Sequence, residues 1–279
     1  MERKVTKLVT GYRTTDGAGV SLVRVLSRNT VSEFDPILML DSFDSRNPRD
    51  YVAGFPLHPH RGIETISYIY QGNMVHKDSL GNEDAITNGE VQWMTAGSGI
   101  MHEEKLPASP RMLGVQLWLN LAAKNKMVAP AYLAIKADEI KEIPLENGML
   151  RLLVGSYLHH TGHQSKYQPL DYYDIHLNPK SSLNIATDSE RSIMLFILVG
   201  SIIINGQTIA EKTAVKLSEG DFFTINTGLE SAQILYISSV ALNEPVSWGG
   251  PIVMNTREEL YKAFQDLDEG TFLKQGINY

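Results

Sequence analysis

The chain has 279 residues, 43% of them hydrophobic, and a formal net charge of −7; that length fits two domains of about 140 residues each, with packed cores that exclude a disordered chain. No run of Lys or Arg stands out at a pI near 5.6, so nothing tracks a phosphate backbone and direct nucleic-acid binding is excluded. The absence of cysteine excludes disulfides, thiolate chemistry and Cys-ligated zinc together, and fits a reducing compartment.

Residues 1–10 carry Glu2, Arg3, Lys4 and Lys7 and lack the apolar core of a signal peptide. The most apolar stretch, 193–204, is interrupted by Gly200 and Ser201 and is too short to span a bilayer. A soluble, cytoplasmic protein with no membrane association is therefore expected. Most of the chain alternates apolar and polar residues at period two between Gly, Asn and Pro, as in 63–70, 90–94, 114–120, 194–199 and 222–225. Short strands at regular spacing predict an all-β barrel or sandwich. The exception comes last: Thr256-x-x-Glu259 is a capping box, and Leu260, Ala263, Phe264 and Leu267 form an apolar stripe at helical spacing before Gly270, which predicts a short C-terminal packing helix.

Two short polar motifs carry the chemistry. His58-x-His60 lies in a segment that reads as a strand, and His102-x-Glu104 follows about forty residues later. Positions i and i+2 of a strand share one face, so two such pairs on neighbouring strands can bring three imidazoles and one carboxylate around a point. Three neutral nitrogens and one anionic oxygen suit a first-row divalent metal such as iron, nickel, copper or zinc. A third histidine group, His159-His160-Thr161-Gly162-His163, resembles a metal motif by composition, but lies among Gly, Ser, Gln and Pro and reads as a surface or lid segment.

The chain also carries an internal repeat. Tyr68-Ile69-Tyr70-Gln71-Gly72 resembles Phe196-Ile197-Leu198-Val199-Gly200, and the stretch from Gly89 to Gly97 aligns with that from Gly220 to Gly228. Two similar barrels are expected, 1–140 and 141–279, the second bearing the helix. At the offsets of His58, His60, His102 and Glu104, the second copy has Ala186, Asp188, Gln233 and Leu235, so only the first barrel is expected to hold metal.

The stretch Gly54-Phe-Pro-Leu-His58-Pro-His60-Arg61-Gly-Ile-Glu64-Thr, followed by Gln92-Trp93-Met-Thr-Ala-Gly97-Ser-Gly99-Ile-Met-His102-Glu-Glu104, closely resembles the pirin family of the cupin superfamily. Leu40-Asp41-Ser-Phe43, Gln116-Leu-Trp118-Leu-Asn120-Leu and Gly250-Pro251-Ile-Val-Met-Asn255-Thr256 extend the resemblance over both halves. It implies a bicupin, two antiparallel β-barrels face to face, with one divalent metal bound by His58, His60, His102 and Glu104. Iron(II) is the first expectation; nickel, copper, cobalt, manganese and zinc are alternatives. The general cupin spacing selects Glu64 as the carboxylate instead. Counting does not choose between the two; the family pattern favours Glu104, with Glu64 beside Arg61 or behind the ligands.

The resemblance further implies a quercetin 2,3-dioxygenase, an enzyme that opens a flavonol ring with dioxygen and releases carbon monoxide. Glu104 is the candidate general base. Phe43, Phe55 and Met101 are candidate pocket walls or ordinary packing residues. Gln116 is a candidate to support a ligand imidazole, and Arg61 to orient an anionic substrate or to pair with Glu64 or Asp41. The competing expectations are an iron-binding regulatory protein that acts through a protein partner, and a bicupin whose metal only stabilises the fold.

Overall fold

The computed structural model of the chain describes residues 1–274. They form two antiparallel β units, each built from one seven-stranded and one four-stranded sheet. No helix among the described residues is long and apolar enough to cross a membrane.

The unit that carries the histidine motifs comprises Arg13–Arg24, Ile37–Ala137 and the chain from Leu242 on. Its larger sheet runs in the order Ala131–Ile135, Glu90–Thr95, Ile63–Gln71, Met112–Asn120, Ile37–Ser45, Val20–Leu26, Tyr12–Asp16. Its smaller sheet runs Phe55–His60, Ile100–Lys105, Met74–Asp78, Glu83–Ile86. Val20, Leu22, Phe43, Ile69, Met74, Ile86 and Met112 fill one apolar cluster of this unit. All nine residues of Met112–Asn120 are buried, as befits the middle strand of the larger sheet.

The other unit comprises Met1–Tyr12, Val25–Pro36 and Asp138–Ala241. Its larger sheet is ordered Val5–Thr10, Thr213–Leu217, Ser192–Val199, Ala232–Ser239, Leu170–Leu177, Gly148–Val154, Lys141–Leu145. Both ends of the chain therefore depart from the expected division at residue 140. The first strand joins the second barrel because Val5–Thr10 pairs along the free edge of Thr213–Leu217. The last segment joins the first barrel because Ile252, Met254, Ala263 and Phe272 bury one another, with a bridge between Arg61 and Ile252.

The repeat is present, but only its first half aligns as the sequence indicates. Ile63–Gln71 and Ser192–Val199 occupy the same place in their sheets. Glu90–Thr95, however, corresponds to Thr213–Leu217, whereas Phe222–Asn226 lies in the four-stranded sheet, where Ile100–Lys105 lies in the first unit. A strand bounded by glycines does not reveal which sheet it enters. The strands equivalent to those bearing the histidines carry Leu183, Ile185, Phe223 and Ile225, which are part of or packed against an apolar core. The strands that bear the candidate ligands in one barrel thus correspond to strands with apolar packing residues in the other, whereas Gln233 and Leu235 lie on Ala232–Ser239 of the seven-stranded sheet.

The helix Arg257–Asp268 begins at Thr256 with the expected capping box, both reciprocal hydrogen bonds being present. It also contributes an interaction that its apolar stripe does not announce. Arg61, 2% exposed, donates to Asp266 at 2.8 Å, to the Phe272 carbonyl at 2.8 Å and to the Ser98 carbonyl at 2.8 Å, and its guanidinium lies 4.2 Å from the centre of the Phe272 ring. Asp266→Ala strips a buried cation of its carboxylate and is expected to destabilise the fold by about 3–5 kcal/mol in a urea titration.

Candidate metal centre

His58 and His60 alternate with Pro59 on the strand Phe55–His60, and the register sets His102 directly opposite His58. Candidate ligand atoms of the three rings all lie within 4.8 Å of one another. His60 and His102 are buried and His58 is half-buried. Glycine shapes the corner that follows. Gly62 has φ +80° and a Cβ there would stand 2.0 Å from the Val253 carbonyl; Gly97, φ +49°, would meet the Val128 carbonyl at 2.1 Å. The Gly62 N–H donates to the Gly97 carbonyl at 2.8 Å, so the two glycine turns bind each other beneath the site.

The ring orientations follow from hydrogen bonding. His58 Nδ1 faces the Pro56 carbonyl at 2.8 Å and His60 Nδ1 faces the Pro251 carbonyl at 3.0 Å. A carbonyl only accepts, so each Nδ1 carries the proton and each neutral Nε2 presents a lone pair. Those two Nε2 atoms lie 3.1 Å apart, and His102 Nε2 is buried with no hydrogen-bond partner. Lone pairs converging in this way without a proton between them form a cation site, so the residues fit a divalent metal. Burial above all pushes His60 down to about 3, and burial holds His102 well below the ordinary imidazole range. Both rings are therefore neutral at pH 7 and ready to ligate.

Glu104 is 2% exposed and shares the strand of His102. Gln92 donates to its Oε1 at 2.8 Å, and Gln116 Nε2 lies 3.1 and 3.0 Å from its two oxygens. Gln116 also reaches Ser67 at 3.1 Å, and it supports this carboxylate rather than an imidazole. Glu64 occupies the other face. It lies three residues from Ser67 on the same strand, an odd separation that reverses the side, and its Oε1 accepts from Thr95 Oγ1 at 2.7 Å. Burial raises the Glu64 carboxyl, with hydrogen bonds from Thr95 and Trp93 opposing.

Arg61 spends its nitrogens on Asp266 and on the Ser98 and Phe272 carbonyls, and so pairs with neither Glu64 nor Asp41. Asp41 instead accepts from Nε and Nη2 of Arg24, at 2.9 and 2.7 Å; burial pushes Asp41 up to about 6 against that pull. Phe43 is buried and meets Phe55 edge-on at 6.3 Å between centroids, within the apolar core, so both are packing residues. Met101 is half-buried, opposite Pro59. Trp118 presents its ring at 5.0 Å to His60 and lies 5.6 Å from Trp248. The His159–His163 stretch forms a two-stranded turn in the other unit; the only cluster of potential metal ligands among the described residues is His58, His60 and His102. Sequence reading missed Gln92, Pro251, Asp266 and His76; a His-x-Asp pair at 76 and 78 on a strand was the available signal.

The fold and this centre define a bicupin with a group of three histidines in one barrel that could hold a metal ion. Residues 19–119 match the Pirin family and residues 172–273 the Pirin C-terminal cupin domain, and the chain belongs to the pirin family. A pirin-like protein of Caulobacter vibrioides is 38% identical, covering 97% of this chain and 99% of its own length. A Pseudomonas aeruginosa protein provisionally named a quercetin 2,3-dioxygenase is 37% identical, covering 96% and 97%. The crystal structure of quercetin 2,3-dioxygenase from Acinetobacter baumannii superposes with a TM-score of 0.89 at 32% identity, covering 98% of this chain and 99% of that one.

Because the unfolded chain protonates His60 near 6.5 and the folded chain only near 3, acid favours the unfolded state across that window. The metal-free protein is expected to lose about 2 kcal/mol more than a His60→Gln variant between pH 7.5 and 5.0. Urea midpoints at the two pH values measure the difference.

Proposed function

We propose that this protein is a metal-dependent dioxygenase that cleaves flavonols such as quercetin, working in the cytoplasm with iron(II) held by His58, His60, His102 and Glu104. The observation that carries the reading is the convergence of three imidazole lone pairs; Glu104, buried on the strand of His102, lies outside that group of three. A divalent metal bound there supplies Lewis acidity, lowering the pKa of a substrate hydroxyl. Glu104 is the residue that takes the proton from the flavonol 3-hydroxyl. The N–H groups of Gln92 and Gln116 hold its carboxylate in place before and after that transfer. Trp118 and Trp248 offer aromatic surface to a flat, apolar ring system. The names of the Pseudomonas and Acinetobacter relatives support the substrate class. Over the whole reaction, flavonol and one dioxygen give a ring-opened ester and carbon monoxide.

Anaerobic loading with iron(II), followed by quercetin and dioxygen, tests the reading. Carbon monoxide release is expected to require metal and to fall at least 100-fold in His58→Ala and Glu104→Gln, in the range that loss of a general base or a ligand brings. Tight one-to-one metal binding without turnover would instead favour a regulatory protein acting through a protein partner. Glu64→Gln is expected to retain the metal; its loss there, with retention in Glu104→Gln, would reassign the carboxylate.

A further inference from the structure

The proton on His102 is not fixed by a carbonyl, as it is on His58 and His60. His102 Nδ1 faces another ring nitrogen, Nδ1 of His76, at 3.4 Å. That pair is ambiguous taken alone, since either atom can donate. The ambiguity is resolved one residue further out. His76 Nε2 lies 2.9 Å from Asp78 Oδ2. Asp78 also accepts from the backbone N–H groups of Leu80 and Asn82 at 2.9 and 3.1 Å and from the Asn82 amide at 2.9 Å. Burial raises its carboxyl, but the hydrogen bonds from His76 and Asn82 outweigh that and hold it below the usual range. An ionised carboxylate only accepts, so the proton sits on His76 Nε2. With its proton on Nε2 toward Asp78, His76 has Nδ1 placed to accept from His102 Nδ1 at 3.4 Å. Nothing else competes for His76. It is fully buried, and its ring stacks on Tyr132 at 4.3 Å and 16°.

We propose that Asp78 and His76 form a positioning relay that fixes His102 as the Nδ1–H tautomer and so aims its Nε2 lone pair at the metal. The relay rests on the reading that His58, His60 and His102 bind a metal. The two strands are built for it: in the register of Ile100–Lys105 against Met74–Asp78, Asp78 stands opposite His102 and His76 opposite Glu104. His76 therefore reaches diagonally to His102 while keeping Asp78, its neighbour on the same face, behind it. His76 is fully buried, and its action is through His102.

Long-range proton–nitrogen NMR of the metal-free, histidine-labelled protein reads the tautomer directly. His102 Nε2 is expected at the lone-pair position and Nδ1 at the protonated one; the reverse assignment overturns the relay whether or not any variant folds. Cobalt(II) titration followed by its visible absorption supplies the second readout. His76→Phe keeps a flat ring against Tyr132 but has no acceptor, and is expected to weaken cobalt(II) binding 10- to 100-fold, the range found when support behind a ligating histidine is removed. His76→Gln can accept from His102 and donate to Asp78, and is expected to stay within about fivefold of wild type, well inside that range. Equal affinities in wild type and His76→Phe would reduce His76 to packing and overturn the relay. The two readings fail separately: a wild-type chain that takes up no cobalt(II) refutes the metal centre, whereas the NMR experiment needs no metal and judges the relay alone.

Discussion

The site depends on one constraint: three imidazoles must present bare nitrogens to one small volume inside a folded barrel. A neutral imidazole has one donor and one acceptor, so choosing where the lone pair points means choosing what the other nitrogen donates to. The chain supplies an acceptor behind each ring: the Pro56 carbonyl for His58, the Pro251 carbonyl for His60 and His76 for His102. Proline carbonyls suit the first two positions. Pro56 lies in the strand of His58 itself, and Pro251 enters from the segment after residue 242.

That entry explains why the C-terminal segment belongs with the first barrel. Val253 donates to the Arg61 carbonyl at 3.1 Å, and Lys126 donates to the carbonyls of Gly62 and Val253 at 2.8 and 2.9 Å. Asp266 closes on Arg61 from the helix. Buried polar groups of this kind are costly when left unpaired, so the segment is held in one register against the strand that bears His58 and His60. The distance from His60 to its acceptor is thereby tied to folding of residues 242–274. The C-terminal helix, through Asp266 and Arg61, is thus also a structural support of the candidate metal centre.

Legibility in the sequence followed the range of each interaction. Period-two alternation, the capping box and the parity that places His58 with His60 depend on residues close together in the chain, and all are present in the fold. The choice between Glu64 and Glu104 was not legible in this way, because counting left both open and the face of Glu64 follows only once Ser67 is seen to meet Gln116 from the neighbouring strand. What escaped was set by pairing between distant segments. Whether a glycine-bounded strand enters the larger or the smaller sheet is decided by its neighbours, hence the misaligned second half of the repeat. The partner of Arg61 lies 205 residues away, beyond any spacing rule, and Glu64 or Asp41 were merely nearer in the chain. His76 and Asp78 were visible as a pair on one strand face, but their meaning required knowing that the strand lies beside Ile100–Lys105.

The central question is which atoms ligate the metal once it is loaded. Metal analysis combined with X-ray absorption at the iron edge, on protein loaded anaerobically, measures it most directly. One iron per chain, bound by three imidazole nitrogens and by a carboxylate oxygen that Glu104→Gln removes, is the result expected. Two imidazoles only, or a carboxylate that persists in Glu104→Gln and disappears in Glu64→Gln, would contradict it.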